Sequence, residues 1–169
     1  TLAARVRPEP VVWIAGALMT VGLLAKTALF PLHLWLPPAH GGAPPAASAV
    51  LSALVVKGSF FLVLRLWFDV LGGMPGLVAG YVLGALGAAA ILVGSALALR
   101  QARLKLLIAY STLGQLGYLF LIFPLALGRG DAGAVAWTAG TLQLVSHAVA
   151  KAAMFMSAGL IAEAIGHDR

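Results

Sequence analysis

Two lysines lie inside long apolar runs of this sequence. Lys26 lies deep in the run that starts near residue 10, and Lys57 lies near the middle of the run 46–68. A charged side chain at the bilayer centre costs ~2.5–3.5 kcal/mol on insertion scales, so such residues usually have a partner or water beside them. Because desolvation disfavours the charged form of a buried amine, such a lysine can accept and release a proton. The two lysines flank a Pro-, Gly- and His-rich break, which predicts a path for ions or protons.

Each lysine also has a structural interpretation, in which it snorkels to the headgroups or binds a structural carboxylate. Two cationic groups on adjacent helices repel each other when both are charged, so a proton on one disfavours a proton on the other. That arrangement suits the transfer of a proton and is a poor one for a purely structural pair. We therefore favour the functional interpretation for both lysines.

A polar stripe runs along the last apolar run. Gln143, His147 and Lys151 follow at i, i+4 and i+8, so they share one helix face. Imidazole titrates near neutrality and can relay a proton to a lysine one turn away. A lone histidine on an apolar face is more commonly structural, but Gln143 and Lys151 beside His147 favour a place in the proton path.

Another polar face occurs in the run before it. Ser111, Gln115 and Tyr118 share a face by i, i+4 and i+3 spacing. This pattern favours hydrogen bonds between helices over a conduction site, and Ser111 and Gln115 are candidate supporting residues of the path.

The remaining ionisable residues receive secondary roles. His33 is a candidate supporting residue at the mouth of the path, whereas His40, beside two glycines, equally suits the shaping of a turn. Glu163 is expected at the membrane interface. Because the histidines are dispersed and carboxylates are scarce, we expect no metal site. No catalytic residue and no cofactor-binding residue is predicted.

The composition defines the class of protein that holds these residues. Apolar residues make up 62% and charged residues 9% of the chain, whereas a soluble domain carries roughly 25% charged residues. With ~20 residues per membrane helix, the length allows about five spans. Cysteine is absent, which excludes thiolate clusters and disulfides. The net charge of +6 comes from scattered residues, so no nucleic-acid partner is expected.

The fold predicted is a single all-α transmembrane domain over 1–169, with the first helix broken near Pro31, which lacks a backbone donor. Pro37-Pro38 is expected to stop a short helical piece, LHLWL. The last apolar run is too long for an upright span, which predicts a tilt, a local break or an emerging end. The five spans are about 10–38, 46–68, 77–99, 104–124 and 135–165.

The ends and loops suggest a piece of a larger protein with a defined orientation. The chain starts with Thr1, and no stretch of it resembles a signal peptide with its cleavage site. The basic loop RQARLK (100–105) is expected in the cytoplasm under the positive-inside rule. Arg169 is expected on the same side, and Arg5, Arg7, Arg65 and Arg129 on the other. The expected location is a bacterial plasma membrane, crossed several times.

Three stretches together resemble one family. They are KTALFPLHLWLPPAHGGAPPAASAVLSALVVK, LKLLIAYSTLGQLGY and SHAVAKAAMFMSAGLI. They are similar to the antiporter-like subunits of respiratory complex I (NADH-quinone oxidoreductase) and of multisubunit cation/proton (Mrp-type) antiporters, over about residues 10–165.

The resemblance implies a role for each ionisable residue of the path. Lys26 matches the central lysine of a broken helix, Lys57 the lysine of the next helix, and His147 with Lys151 a later pair. These would form a chain of protonatable groups and water across the middle of the membrane. The chain departs from the family pattern at Pro38, where an acidic residue is usual, and at Pro44-Pro45-Ala46, where Pro-Thr-Pro is usual.

The resemblance also implies partners. In the family a glutamate in an earlier helix pairs with the central lysine, and neither that helix nor a later charged one is in this chain. The expected partners are the remaining helices of the full-length chain, other membrane subunits, the lipid bilayer, and protons or Na⁺. No cofactor is expected, since redox chemistry would belong to partner subunits.

Three functions remain open. The first is a proton-pumping subunit of a complex that oxidises NADH, a ferredoxin or hydrogen. The second is a subunit of a cation/proton antiporter without redox partners. The third is a structural membrane piece that conducts nothing.

Overall fold

The computed structural model describes residues 9–72, 74–127 and 131–166, and no strand occurs in these ranges. Five helices in these ranges are long and apolar enough to cross a membrane. This confirms the predicted all-α membrane fold with a broken first helix. Arg5, Arg7, Arg129 and Arg169 lie outside the described ranges. The helices are α1 (Pro10–Thr27), α2 (Leu36–Gly42), α3 (Pro45–Val70), α4 (Gly76–Leu99), α5 (Leu104–Ala126) and α6 (Asp131–Ile165).

Hydrogen bonds stabilise the turn at the break after α1. Ala28 has a left-handed backbone with φ of 60°, and its N–H donates to the carbonyl of Ala25 at 3.1 Å. This contact is one of the bonds that commonly end a helix. The indole of Trp35 donates to the same carbonyl at 2.8 Å. Because Pro31 has no N–H to offer, the chain turns here, directly after Lys26 and Thr27.

The short helix α2 corrects one expectation from the sequence. Pro37 and Pro38 lie in its first turn and do not end a helix. The first N–H groups of a helix have no intrahelical acceptor, so proline loses nothing there. At the other end, Lys105 donates to the carbonyl of Ala43 at 2.5 Å. A cation at this position also complements the negative end of the helix dipole.

Helix α3 lies among the other helices and carries two wider turns. Leu51–Val55 and Arg65–Val70 are π-helical, and the segments between and before them are α-helical. Such wide turns are frequent at functional sites because they rearrange the backbone carbonyls. Lys57 follows two residues after the first wide turn.

Helices α4 and α5 pack through glycines. A Cβ atom at Gly117 would lie 2.3 Å from the carbonyl oxygen of Gly87, and one at Gly94 would lie 2.6 Å from the backbone nitrogen of Gly114. Only glycine permits backbones to approach so closely, as is typical of helix contacts in membranes. These small residues therefore position α5, which takes part in the polar contacts between helices described below.

An aromatic core joins α3 to α5. The rings of Phe60 and Phe120 meet edge to face at a centroid distance of 5.1 Å, and Trp67 meets Phe123 at 5.0 Å. All four side chains are buried. This core fixes the rotation of α3 and α5 about their axes, and so decides which polar residues face each other.

Helix α6 is unbroken over 35 residues, so the local break allowed by the sequence does not occur. At 1.5 Å per residue it is about 52 Å long, well beyond the ~30 Å of the hydrocarbon core. It therefore tilts or extends beyond the membrane surface. It packs against the first half of α3 and against α5.

Candidate functional site

Lys57 is buried near the middle of the membrane-spanning helix α3. Its side chain is 3% exposed, and its ammonium group donates to the carbonyl of Ser52 in the first wide turn. The hydroxyl of Ser52 contacts the hydroxyl of Thr112 on α5 at 3.1 Å, and both are fully buried. A polar connection therefore runs from Lys57 across to α5.

Lys151 approaches the same turn of α5 from α6. It is 3% exposed and donates to the hydroxyl of Ser111 and, at 3.2 Å, to the carbonyl of Ile108. Because Ser111 and Thr112 are consecutive residues, both buried lysines are linked to a single turn of α5. The sequence predicted both lysines in one path, and the fold brings them together.

His147 lies one turn before Lys151 on α6 and is also buried. Neither of its ring nitrogens has a hydrogen-bond partner in the described part of the chain. Buried polar atoms in proteins nearly always have a partner, so this imidazole is available to bind water or to exchange a proton.

The buried lysines are held by neutral oxygens. In the described ranges the carboxylates are all on the surface, and the ion pair between Arg65 and Asp69, at 2.7 Å, is exposed. A carboxylate beside a buried lysine would stabilise its ammonium form. Hydroxyl and carbonyl partners do so more weakly. The described carboxylates are Glu9, Asp69, Asp131 and Glu163.

Lys26 lies at nearly the same depth as Lys57 but on the outside of the described helices. Its side chain is exposed on the surface of the described chain. The next residue, Thr27, is fully buried, and its hydroxyl donates to the hydroxyl of Ser59 at 3.1 Å. Ser59 lies two residues after Lys57, so the two lysines lie at nearly the same level of the membrane. The fold does not bring Lys26 into the buried cluster.

The two histidines near the break are also buried, and each stacks on an aromatic ring. His33 stacks on Phe30 at a centroid distance of 5.5 Å, and His40 stacks on Phe155 of α6 at 4.5 Å. Neither ring nitrogen of His40 has a hydrogen-bond partner in the described part of the chain. The stacking shows that His40 joins α2 to α6, in addition to any role in shaping the turn.

The polar faces of α5 and α6 meet, as their spacing indicated. Gln143 donates to the side-chain oxygen of Gln115 at 2.6 Å. A cavity of about 330 Å³ lies beside this pair, with Ser111, His147 and Lys151 in its wall. Tyr118, by contrast, is largely exposed.

Sequence reasoning missed four hydroxyl residues that connect the helices. Each is small, buried and hydrogen-bonded to another helix or to its own backbone. A signal was present, because all four lie within five residues of a buried or mid-membrane lysine, or next to Ser111. They are Thr27, Ser52, Ser59 and Thr112.

A metal site is not formed in the described ranges, where no three His, Cys, Asp or Glu side chains are grouped. The donors that are present are amines, imidazoles, hydroxyls and amides. All of these groups form hydrogen bonds, and the amines and imidazoles among them are titratable.

Comparison with known proteins gives the family. Residues 3–169 match the family described as "NADH:quinone oxidoreductase/Mrp antiporter, TM". NAD(P)H-quinone oxidoreductase subunit 5 from the chloroplast of Piper cenocladum is 36% identical over 148 residues, which are 88% of this chain and 18% of the relative. The same subunit from Capsella bursa-pastoris is 37% identical over 148 residues, with 88% and 18% covered.

A solved structure agrees with this result. The Mrp complex from Dietzia sp. contains a chain with a TM-score of 0.82 and 29% identity, matched over 94% of this chain and 28% of that chain. The chain thus spans about a fifth of the length of the curated relatives that it matches. The chain belongs to the NADH:quinone oxidoreductase/Mrp antiporter family of multi-pass membrane subunits.

Proposed function

We propose that this chain carries protons sideways through the middle of the membrane, as part of a proton-translocating subunit of a redox-driven, NADH-quinone oxidoreductase-like complex. The observation that carries the proposal is the pair of buried lysines, Lys57 and Lys151, linked by neutral oxygens to one turn of α5. Buried ionisable groups in membrane spans commonly mark ion or proton pathways.

The mechanism follows from the partners of the two amines. A carbonyl accepts a hydrogen bond from the ammonium form, whereas a hydroxyl can serve the ammonium and the amine alike. Since like charges repel, a proton that arrives on Lys57 disfavours a second proton on Lys151. The proton therefore moves from Lys57 to Lys151, by way of water or the hydroxyls of Ser52, Thr112 and Ser111. His147 then accepts it from Lys151.

Lys26 has a separate role in this proposal. It lies level with Lys57 but is exposed on the described chain, so its partner belongs to another part of the full-length protein or to another subunit. By resemblance to the family, that partner is a carboxylate in an earlier helix, which controls the charge of Lys26. The lysine would then start or stop the transfer to Lys57.

The driving reaction is proposed from the relatives. The chloroplast relatives are named as subunits of a quinone oxidoreductase and are 36–37% identical to this chain. This favours the redox-driven complex over the antiporter, for which the 29% identity to a chain of the Mrp complex is the supporting observation. We propose other membrane subunits as partners, H⁺ as the ion and a bacterial plasma membrane as the location.

Replacement of Lys57 by methionine in the full-length protein tests the proposal. Methionine has a similar length and no proton to exchange, so we expect proton transport into vesicles to be abolished while the complex assembles normally. Arg65→Gln is the matched control, since it removes a positive charge from the same helix at an exposed ion pair, a type worth at most ~1 kcal/mol. Unchanged transport by the Lys57→Met protein would support the purely structural role instead.

A further inference from the structure

The groove between α5 and α6 holds two cavities that meet at one pair of side chains. The first, of about 330 Å³, contains Lys151 and His147 in its wall. The second, of about 420 Å³, extends to Leu125 in the last turn of α5 and Ala136 in the second turn of α6. The second cavity therefore leads toward the membrane face where α5 ends and α6 begins, opposite the RQARLK loop.

Gln115 and Gln143 line both cavities. Their amide groups are in direct contact, with 2.6 Å between Nε2 of Gln143 and Oε1 of Gln115. No water fits between atoms at that separation. The pair therefore spans the groove between α5 and α6, at the point where the first cavity, beside Lys151, adjoins the second cavity.

The two cavities differ in the chemistry of their walls. The cavity of Lys151 has hydroxyl, imidazole and ammonium groups. Apart from the two amides and Tyr118, the other cavity is lined by apolar side chains. A carboxamide does not titrate near neutral pH, and its donor and acceptor are different atoms, so, unlike a hydroxyl, it does not accept a proton and pass it on through one atom. Beyond the two amides, Tyr118 is the polar side chain that remains in the wall of the second cavity.

We propose that the Gln115–Gln143 pair is a proton barrier, which keeps a proton on Lys151 or His147 from escaping along the α5–α6 groove to the membrane face at the α5–α6 connection. This inference rests on the proposed function, since it requires that Lys151 carries protons. The pair would close one exit, because a proton on Lys151 could not pass along the α5–α6 groove to that face.

The alternative is that the pair only holds two helices together. Interhelical hydrogen bonds of this kind contribute modestly to membrane-protein stability. That role predicts a loss of stability without any change in proton leak. The barrier predicts a change in leak, so leak is the measurement that separates the two.

The test uses the full-length protein in its complex, in sealed vesicles with no substrate for the driving reaction. The decay of an imposed pH gradient reports passive leak. We expect Gln143→Ala and Gln115→Ala each to raise the rate of passive leak roughly fivefold. Loss of one typical hydrogen bond would increase the open fraction of the groove by about this factor. The double variant should leak no more than the single ones, because both residues close one opening. Thr138→Ala, an exposed hydroxyl on α6 bonded to its own helix, is the matched control.

A second set of variants shows where the leak passes. Gln143→Glu keeps the size of the side chain but adds a titratable group, so it should also leak. Lys151→Met added to Gln143→Ala should return the leak to the wild-type level. Wild-type leak in all three glutamine variants would overturn the barrier, as would a raised leak that persists without Lys151.

Driven transport by the Lys151→Met single variant separates the two proposals. If that variant transports normally, the proposed function fails at Lys151. If it does not transport and the glutamine variants stay tight, only the barrier fails. Recovery of the intact complex for each variant shows that a change in leak does not come from misassembly.

Discussion

At the scale of single residues, the partners of the buried lysines are unusual in being neutral. Lys151 has one hydroxyl and one carbonyl as partners, from Ser111 and Ile108. The carbonyl can only accept, whereas the hydroxyl can rotate to accept from the ammonium or donate to the amine. Ser111 is therefore the partner that remains useful in both states of the lysine.

This argument predicts a specific effect of Ser111→Ala. A hydrogen bond to a charged group contributes ~1.5–3 kcal/mol, so its loss should slow proton transport about tenfold or more. The measurement is the initial rate of proton uptake by vesicles that hold the full-length protein. Ser111→Thr keeps the hydroxyl and should transport at nearly the normal rate. If the alanine variant also did so, Ser111 would have no part in the path.

At the scale of helices, α5 is the element on which the site depends. It receives Lys57 through Ser52 and Thr112, and Lys151 through Ser111. Its position is set on its other side by the glycine contacts with α4. A shift of α5 against α4 would therefore move the acceptors of Lys151 and also Thr112, through which Ser52 and Lys57 connect to α5.

Replacement of Gly117 by alanine tests this dependence. The new Cβ would lie 2.3 Å from the backbone of Gly87, so the helices must separate. Overpacking of this kind typically costs ~1–3 kcal/mol. We expect a lower midpoint of thermal unfolding in detergent. Gly58→Ala is the control, since a Cβ there meets nothing within 4 Å in the described chain, and alanine favours a helix. Equal midpoints for both variants would contradict the close packing.

At the scale of the whole molecule, the five spans alternate in direction and leave the basic loop 100–105 on one side. Residues 36–45, at the start of α3, lie on that same side, as the contact of Lys105 with Ala43 indicates. The positive-inside rule places this side in the cytoplasm. The orientation remains a prediction. Single introduced cysteines can test it, because the sequence of this chain contains no cysteine of its own.

Single cysteines can report the orientation. In a full-length protein with any other cysteines replaced, Ala102→Cys in the basic loop should react with a membrane-impermeant maleimide only from the cytoplasmic side. Asp131→Cys, at the exposed start of α6, should react only from the other side. Labelling of both from one side would show that the chain does not cross the membrane as predicted.

Much of this description could be predicted from the sequence because it depends on local properties. Apolar length defines the spans, and Pro31 lies where α1 breaks. Helical spacing placed Gln143, His147 and Lys151 on one face. The same local reasoning failed at Pro37-Pro38, since proline is equally suited to end one helix and to begin another.

The sequence by itself therefore determined the class of protein and its spans, and it named the candidate residues for carrying protons. Only the tertiary structure decided how those residues meet. Ser52 and Thr112 are 60 positions apart, and Gln115 and Gln143 are 28 apart, so their contacts depend on how each helix is rotated and shifted against its neighbours. The glycine contacts and the aromatic core set that arrangement, which buries Lys57 and Lys151 together and leaves Lys26 outside.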